Sequence, residues 1–416
     1  MQSSAPTILR VESLESGQAR RVLAVPDFRR LWLVGLVGSV ARWLEMLVIG
    51  VVVYQATDSA LLVAAMTLLR MLPMGLFGAI LGVMADRVPR RGALLAVLVL
   101  QAVAVGELVL ADLLGTLAVW QIALASLLGG LGWATDNPVR RMLIGEAVGP
   151  ARMSQAMSLD VMASNASRVA GPALGGTLLA LLGPGAAFGL CLLFHLVSFA
   201  TALRLTVGTT VERQRSRGVL QEMRESFAFA LHHPRLRAVL LVTIVFNLSA
   251  WPCTSMIPVI GQSGLGLGPE GVGILASMDG LGALVGAALV GAFVAPHRHA
   301  AIYVGGTIIY LAMMAGFALS PSPLLAGLLL VAVGVGGAGF ASMQATLIYL
   351  SAPPEQRSRA LGVLSTAIGT GLLGFLQLGL LAESLGAATA TAVVCAQGIL
   401  VLAATWSVWK PLFQQD

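Results

Sequence analysis

Seven polar side chains interrupt otherwise apolar runs of this sequence: Arg42, Glu45, Arg70, Asp160, Asn165, Arg168 and Asp279. In a bilayer core each charge costs ~2.5–3.5 kcal/mol on insertion scales, so such groups face a wet cavity or pair with one another. Arg42 and Glu45 lie one helical turn apart on the same face. Glu45 and Arg168, each near the middle of its run, are expected to share a central polar cavity, with Glu45 the preferred proton carrier and Asp279 the reserve. The proton affinity of a carboxyl changes with its burial and with the arginine beside it, which suits a group that must load and unload. The same residues also fit a static buried ion pair that fixes helix packing. His195 titrates near neutrality when free, but a lone histidine in an apolar run reads first as core. Trp43, Trp133 and Trp251 fit either a pocket wall or ordinary lipid and core contact, and Glu107 reads as interfacial.

Other chemistries lack their residues. Lys410 is the only lysine, so neither a P-loop nor a Schiff-base site has its cation, and an ATP-driven pump is disfavoured. Gly334, Gly336 and Gly339 fit GxGxxG but sit inside an apolar run with no strand before them. Cys191, Cys253 and Cys395 form no CxxC pair and read as small core residues. The triplets starting at Asn165 and Asn247 are glycosylation patterns inside apolar runs, and neither HExxH nor GxSxG occurs. No cofactor, metal or nucleic-acid partner is expected.

Hydrophobic residues make up 57% of the 416 and charged residues 11%, too few charges to cover a soluble surface. Twelve continuous apolar runs, each near the ~20 residues a helix needs to span the bilayer, fall at 31–55, 61–85, 93–111, 117–137, 153–182, 187–206, 237–261, 271–294, 300–319, 324–348, 360–382 and 388–409. Residues 1–30 hold arginines and no apolar core of a signal peptide, so the first span is expected to serve as the anchor. With the N-terminus placed in the cytoplasm, 22 of the 25 basic residues fall on that side and the other three inside spans. Such asymmetry meets the positive-inside rule and puts both termini in the cytoplasm.

The connection at 207–236 lies at the midpoint, and Leu220, Met223, Phe227 and Leu231 recur in it at helical spacing, as in an amphipathic surface helix. Pro26, Phe28 and Arg29 before the first span echo Pro234, Leu236 and Arg237 before the seventh. The expected organisation is therefore a cytoplasmic segment (1–30), a six-helix bundle (31–206), a linker (207–236), a second bundle (237–409) and a tail (410–416). Duplicated halves place a substrate site near midplane between them.

Two motifs carry a family resemblance. Gly82-Val83-Met84-Ala85-Asp86-Arg87-Val88-Pro89-Arg90-Arg91 resembles the GxxxDRxGRR loop of the major facilitator superfamily, with Pro89 where glycine is usual. Gly171-Pro172-Ala173-Leu174-Gly175-Gly176 resembles the glycine and proline motif of its drug and proton antiporters. From Leu69 to Arg91, and from Asp136 through Arg140, Arg141 and Arg168 to Gly176, the chain is similar to the exporter branch that includes the enterobactin exporter and macrolide efflux proteins. That similarity covers the N-terminal half. It departs in the fourth span, where Ala125–Gly130 lacks the arginine of many antiporters, and after the eighth, where Ala295 stands in place of an aspartate.

The resemblance implies an all-α integral membrane protein of twelve transmembrane helices with the major facilitator fold, two pseudo-symmetric six-helix bundles. It implies a secondary exporter of amphipathic small molecules, drug-like compounds or siderophores, by proton antiport in the bacterial cytoplasmic membrane. Its partners would be a small-molecule substrate, protons and the lipid bilayer, and it would act as a monomer. Asp86, Arg87, Arg90, Arg91, Asp136 and Arg140, with Gly82, would form a cytoplasmic gate, and Gly171, Pro172, Gly175 and Gly176 the antiporter helix motif. A narrow-specificity siderophore or lipid carrier, and a non-transporting receptor or scaffold on the same fold, remain the alternatives. Glu45→Gln is expected to abolish transport driven by a pH gradient while leaving folding intact, as read by flux in liposomes.

Overall fold

The computed structural model describes residues 22–85, 89–208, 229–293, 295–353 and 356–413. The described residues form twelve helical rods: α1 (Pro26–Thr57), α2 (Ala60–Ala85), α3 (Arg90–Leu113), α4 (Val119–Val148), α5 (Met153–Leu182), α6 (Pro184–Ala202), α7 (Pro234–Gly264), α8 (Pro269–Phe293), α9 (His299–Ala318), α10 (Pro323–Ser351), α11 (Arg357–Gly369 continuing as Gly371–Leu385) and α12 (Ala387–Ala404). By length and composition, nine of the rods are apolar enough to cross a membrane. In α2 the described apolar stretch is the shorter Ala60–Gly75, while α4 and α5 bear buried Asp136, Arg140 and Asp160. Proline opens α1, α6, α7, α8 and α10, where its missing N–H costs no hydrogen bond. The turns after α5 and α11 use Gly183 and Gly386 at φ 82° and 80°, a backbone region that favours glycine.

Three spans depart from a plain helix. The chain in α7 passes through a π turn (Phe246–Ala250), a 3₁₀ stretch (Trp251–Met256) and a second π turn (Ile260–Gly264). Pro252 and Pro258 remove donors from the helical ladder there. Ser255 Oγ donates to the Pro252 carbonyl at 2.7 Å and Thr254 Oγ1 to that of Trp251 at 2.8 Å, side-chain bonds within the 3₁₀ stretch. In α11 the break falls at Thr370, between two glycines. The last rod stops at Ala404, not at 409 as expected: Thr405 interrupts it, and Trp406–Trp409 forms a separate turn held by Trp409 Nε1 donating to Leu402 O at 2.7 Å. The expected amphipathic helix of the linker, with Leu220, Met223 and Phe227, lies outside the described residues; Leu231 is exposed. The three cysteines are buried and free.

Helices α1–α6 and α7–α12 pack as two bundles that meet along α5 with α8, α2 with α11 and α1 with α7. Exchanging the halves, by adding or subtracting six from each helix number, turns the first contact into the second and the third into itself. The packing is therefore pseudo-two-fold. Among the described residues, close approaches between the halves include Gly75 with Gly369 and Leu372, Gly379 with Leu61 and Ala64, and Gly50 with Pro258. Ser59 Oγ adds a hydrogen bond to Glu383 Oε2 at 3.1 Å.

The α5–α8 contact is backbone against backbone. A Cβ on Gly176 would stand 2.5 Å from the Pro269 carbonyl oxygen and 2.8 Å from Gly273 Cα, and one on Gly273 2.6 Å from the Pro172 oxygen. Two faces of α5 are thus occupied, because Gly171 and Gly175 admit Trp43 and Leu44 of α1 just as closely. Gly176→Ala is expected to lower stability by ~1–3 kcal/mol, the range for overpacking. Gly189→Ala, with no neighbour within 4 Å of its added Cβ, is expected to leave stability unchanged or raise it. Thermal unfolding of the two variants in one detergent checks this.

Candidate functional site: the cavity between the halves

Between α1, α2 and α5 of the first half and α7 and α8 of the second lies a cavity open to solvent, with about 630 Å³ of empty space against its walls. Its apolar wall includes Trp43, Met46, Leu47, Val63, Trp251 and Ile257, and its hydroxyls are Thr67, Thr254 and Ser255. Two charges face it, Arg168 from α5 and Asp279 from α8. Arg168 Nη2 donates to Asp279 Oδ2 at 2.6 Å, and the guanidinium lies over the Trp43 ring at 5.1 Å. The pair is held where the two backbones touch: a Cβ on Gly280 would stand 2.5 Å from the Arg168 carbonyl oxygen. One turn away Ser277 Oγ donates to Val169 O at 2.8 Å, a second bond across the halves. A charge-assisted bond in such a low-dielectric place is stronger than in water, and removing one partner strands the other. A smaller cavity of about 290 Å³, walled by Met71, Met74, Asn247, Ile368, Leu372 and Phe375, shares Trp251 with the first.

The remaining charges expected in this cavity are elsewhere. Glu45, 2% exposed, is enclosed within the first half, where its Oε2 accepts from Arg70 Nη2 at 3.0 Å. The expectation that Glu45 and Arg168 share a hollow between the halves is therefore corrected. Gly129 and Gly130 explain the difference: without side chains they let Arg70 reach across α4 to the carboxylate. Arg42 points away from Glu45, with Nη2 3.9 Å from Asp136 Oδ2 and its guanidinium 5.0 Å above the Trp133 ring. Asp160, also expected in the cavity, is bonded by Arg140. Asn165 is half-buried on α5.

Of the expected gate, Asp86 and Arg87 lie outside the described residues, and Gly82 is in the last turns of α2. Arg90 pairs with Glu146, and Arg91 Nη2 donates to Leu203 O at 2.6 Å. Asp136 and Arg140 are buried within the first half, Arg140 Nε standing 3.6 Å from Asp136 Oδ2 while its Nη1 bonds Asp160. These two join α4 to α1 and α5 within the first bundle. The antiporter motif residues lie on α5, where Pro172 reaches the cavity and the glycines face α1 and α8.

Sequence reading missed Thr67, Met46 and the hydroxyls of α7. A signal was present for the last: two prolines with Thr254 and Ser255 in one apolar run mark an interrupted membrane helix, the kind that lines a site. It also missed Asp27, whose carboxylate accepts from Arg30 Nη1 at 2.7 Å and Thr206 N at 3.0 Å and so ties α1 to the chain leaving α6.

The described fold resembles solved membrane transporters across nearly the whole chain. A POT family transporter in complex with 5-aminolevulinic acid superposes with a TM-score of 0.76 at 12% identity, covering 93% of this chain and 96% of that one. A point mutant of the nucleoside transporter NupG gives 0.70 at 12% identity over 92% and 99% of the two chains. A bacterial homologue of the human lysosomal transporter Spinster, inward-facing and unoccupied, gives 0.64 at 16% over 94% and 96%. In sequence, the chain is 26% identical over 278 residues to the uncharacterized MFS-type transporter YfiS of Bacillus subtilis (strain 168), a match that spans 61% of this chain and 63% of that relative. Residues 21–415 match the family described as transmembrane secretion effector, MFS_3. With twelve rods in two pseudo-symmetric bundles about a central cavity, the chain belongs to this family and is a multi-pass membrane transporter of the major facilitator superfamily.

Proposed function

We propose that the chain is a secondary exporter of amphipathic small molecules that works by alternating access and takes protons in exchange. The observation that carries this reading is the Arg168–Asp279 pair, which joins the two halves inside the cavity that a substrate would occupy. The family description, a secretion effector, supports the outward direction, as does the resemblance to drug, siderophore and macrolide exporters. The arginine asymmetry supports cytoplasmic termini. On that orientation Gly50 with Pro258 and Gly379 with Leu61 hold the halves together towards the external end, and the proposed cycle loads the cavity from the cytoplasm.

The cycle follows from what each partner can do. With the pair formed, α5 is latched to α8 and the outer end stays shut. A substrate whose polar group replaces one partner relieves the latch, and its apolar body gains contact with Trp43, Trp251 and Ile257. Only a ligand that favours the opened state shifts the equilibrium, and this competition supplies the difference. Once open to the outside, Asp279 without its arginine takes a proton as substrate leaves. Return to the cytoplasmic-facing state lets Arg168 reclaim the carboxylate, and the proton departs inward. A second reading, a carrier of lipid-like amphiphiles, is favoured by the smaller cavity, whose Met71, Met74, Leu372 and Phe375 would take an acyl or aromatic tail. A static scaffold has no use for an ion pair placed where the halves must part.

Purified protein in liposomes with an imposed pH gradient, screened against dyes, antibiotics, catecholate siderophores and short-chain lipids, tests both readings. Asp279→Asn is expected to lower gradient-driven transport at least about tenfold, the loss that follows from 1.4 kcal/mol. The exchanged pair, Arg168→Asp with Asp279→Arg, is expected to recover part of it. Unchanged coupling in Asp279→Asn would end the proposed proton role of this residue. Trp251→Ala, which opens the wall common to both cavities, is expected to raise KM for aromatic substrates about tenfold and to leave the maximal rate within about twofold, as loss of an aromatic contact with little change in the latch.

A further inference from the structure

Inside the first half, away from the central cavity, a group of buried polar atoms is left without protein partners. They are Glu45 Oε1 on α1, Arg70 Nε and Nη1 on α2, Ser126 Oγ on α4, and both ring nitrogens of His195 with Ser198 Oγ on α6. The five residues are at most 3% exposed, and none of them lines the cavity between the halves. An unsatisfied buried polar atom costs ~1–3 kcal/mol. Seven left dry would cost about as much as the whole stability of an ordinary domain. Native interiors meet such a debt with ordered water where the site is polar and has room.

A Cβ on Gly129 would stand 3.3 Å from Arg70 Nη2 and 3.6 Å from Glu45 Oε1, so this glycine brings the α4 backbone up to the ion pair and its unpartnered oxygen. Ser126 shares that face of α4, one turn away. On α6, Cys191 donates to Ala41 O at 3.6 Å, which sets this face of the helix against α1; His195 and Ser198 follow on it at helical spacing. The charged groups that act on His195 are Glu45 and Arg42 from α1, Arg70 from α2 and Asp136 from α4. The other helices against α6 have their charges engaged elsewhere: Glu107 of α3 accepts from Gln121, Asp112 lies against Gly185, Asp160 of α5 is bonded by Arg140, and Arg168 faces Asp279.

We propose that Glu45, Arg70, Ser126, His195 and Ser198 enclose a small hydrated chamber in the N-terminal half, in which water carries a proton between His195 and Glu45. The proton leaves a ring nitrogen of His195, crosses bridging water and ends on Glu45 Oε1. Imidazolium and carboxylate become imidazole and carboxylic acid, total charge is unchanged, and Glu45 loosens its hold on Arg70. The chamber is a proton-holding site distinct from the Arg168–Asp279 latch, and His195 is its second member. It goes beyond the exporter reading and does not need it.

The test uses the full chain in nanodiscs, with histidine labelled by ¹⁵N and with neither substrate nor gradient present. His195 is assigned among the five histidines by the signal lost in His195→Gln. Its resonance is expected to titrate and to exchange with water, and Glu45→Gln to move its midpoint by at least about one pH unit, a tenfold change in proton affinity. Asp279→Asn is expected to leave that midpoint in place, which separates this site from the transport latch. Infrared difference spectra on acidification should show a carboxyl band that Glu45→Gln removes and D₂O shifts. Gly129→Ala, which narrows the chamber while keeping every polar group, is expected to slow water exchange at His195 at least tenfold; it serves if Glu45→Gln does not fold. A His195 signal that neither titrates nor exchanges between about pH 4 and pH 9, or that ignores both substitutions, overturns the proposal.

Discussion

A charge in hydrocarbon needs a countercharge, and this constraint organises the transporter. Each arginine within a span reaches a carboxylate on another helix: Arg70 to Glu45, Arg42 to Asp136 and Arg168 to Asp279. Arg140 adds a fourth such link, to Asp160. Stranding either member of a buried pair costs ~3–5 kcal/mol, so the helices that carry them are held in register. Three of the four links fall within the first bundle, joining α1 to α2 and α4, and α4 to α5. The fourth crosses to the second bundle. A charged tie of this kind, set in the wall of the cavity between the halves, leaves the links inside the first bundle untouched when it breaks.

The second bundle is built by other means. Phe246 stacks on Phe340 with ring centroids 3.7 Å apart, and Tyr303 on the same ring at 5.2 Å. Tyr303 OH donates to Val239 O at 3.0 Å, and Gln344 Nε2 to Thr243 Oγ1 at 3.2 Å. Neutral, aromatic packing of this kind tolerates the irregular course of α7, which would misplace an ion pair. The fold is symmetric in its helix contacts and asymmetric in its chemistry: charge stiffens one half, while the other offers a bent helix whose hydroxyls and tryptophan face the cavity.

How far the sequence was legible follows from the range of the interactions involved. Span positions depend on local apolarity, and all twelve rods fall where apolar runs predict them. The end of α12 is less regular because Thr405 and a tryptophan indole compete with the helical ladder, a contest decided by contacts to Leu402. The membrane-embedded charges were visible as chemical oddities, but their pairing was not. Glu45 takes Arg70 rather than Arg42 because Gly129 and Gly130, on a third helix, open the way, and helix rotation cannot be read from one strand of sequence. Asp279, read as the reserve proton carrier, finds its partner in the other half, 111 residues earlier. His195 is buried on α6, and its unpartnered ring nitrogens, with the polar atoms around it, emerge only once four helices are assembled.

Consider again α5, with Gly175 and Gly176 adjacent in the chain and turned to opposite neighbours. Where side chains interlock, relative motion must lift each out of its socket and refit it in another rotamer. Towards α8 main chain rests on main chain, so at this crossing few side chains would have to be unseated for one half to slide past the other.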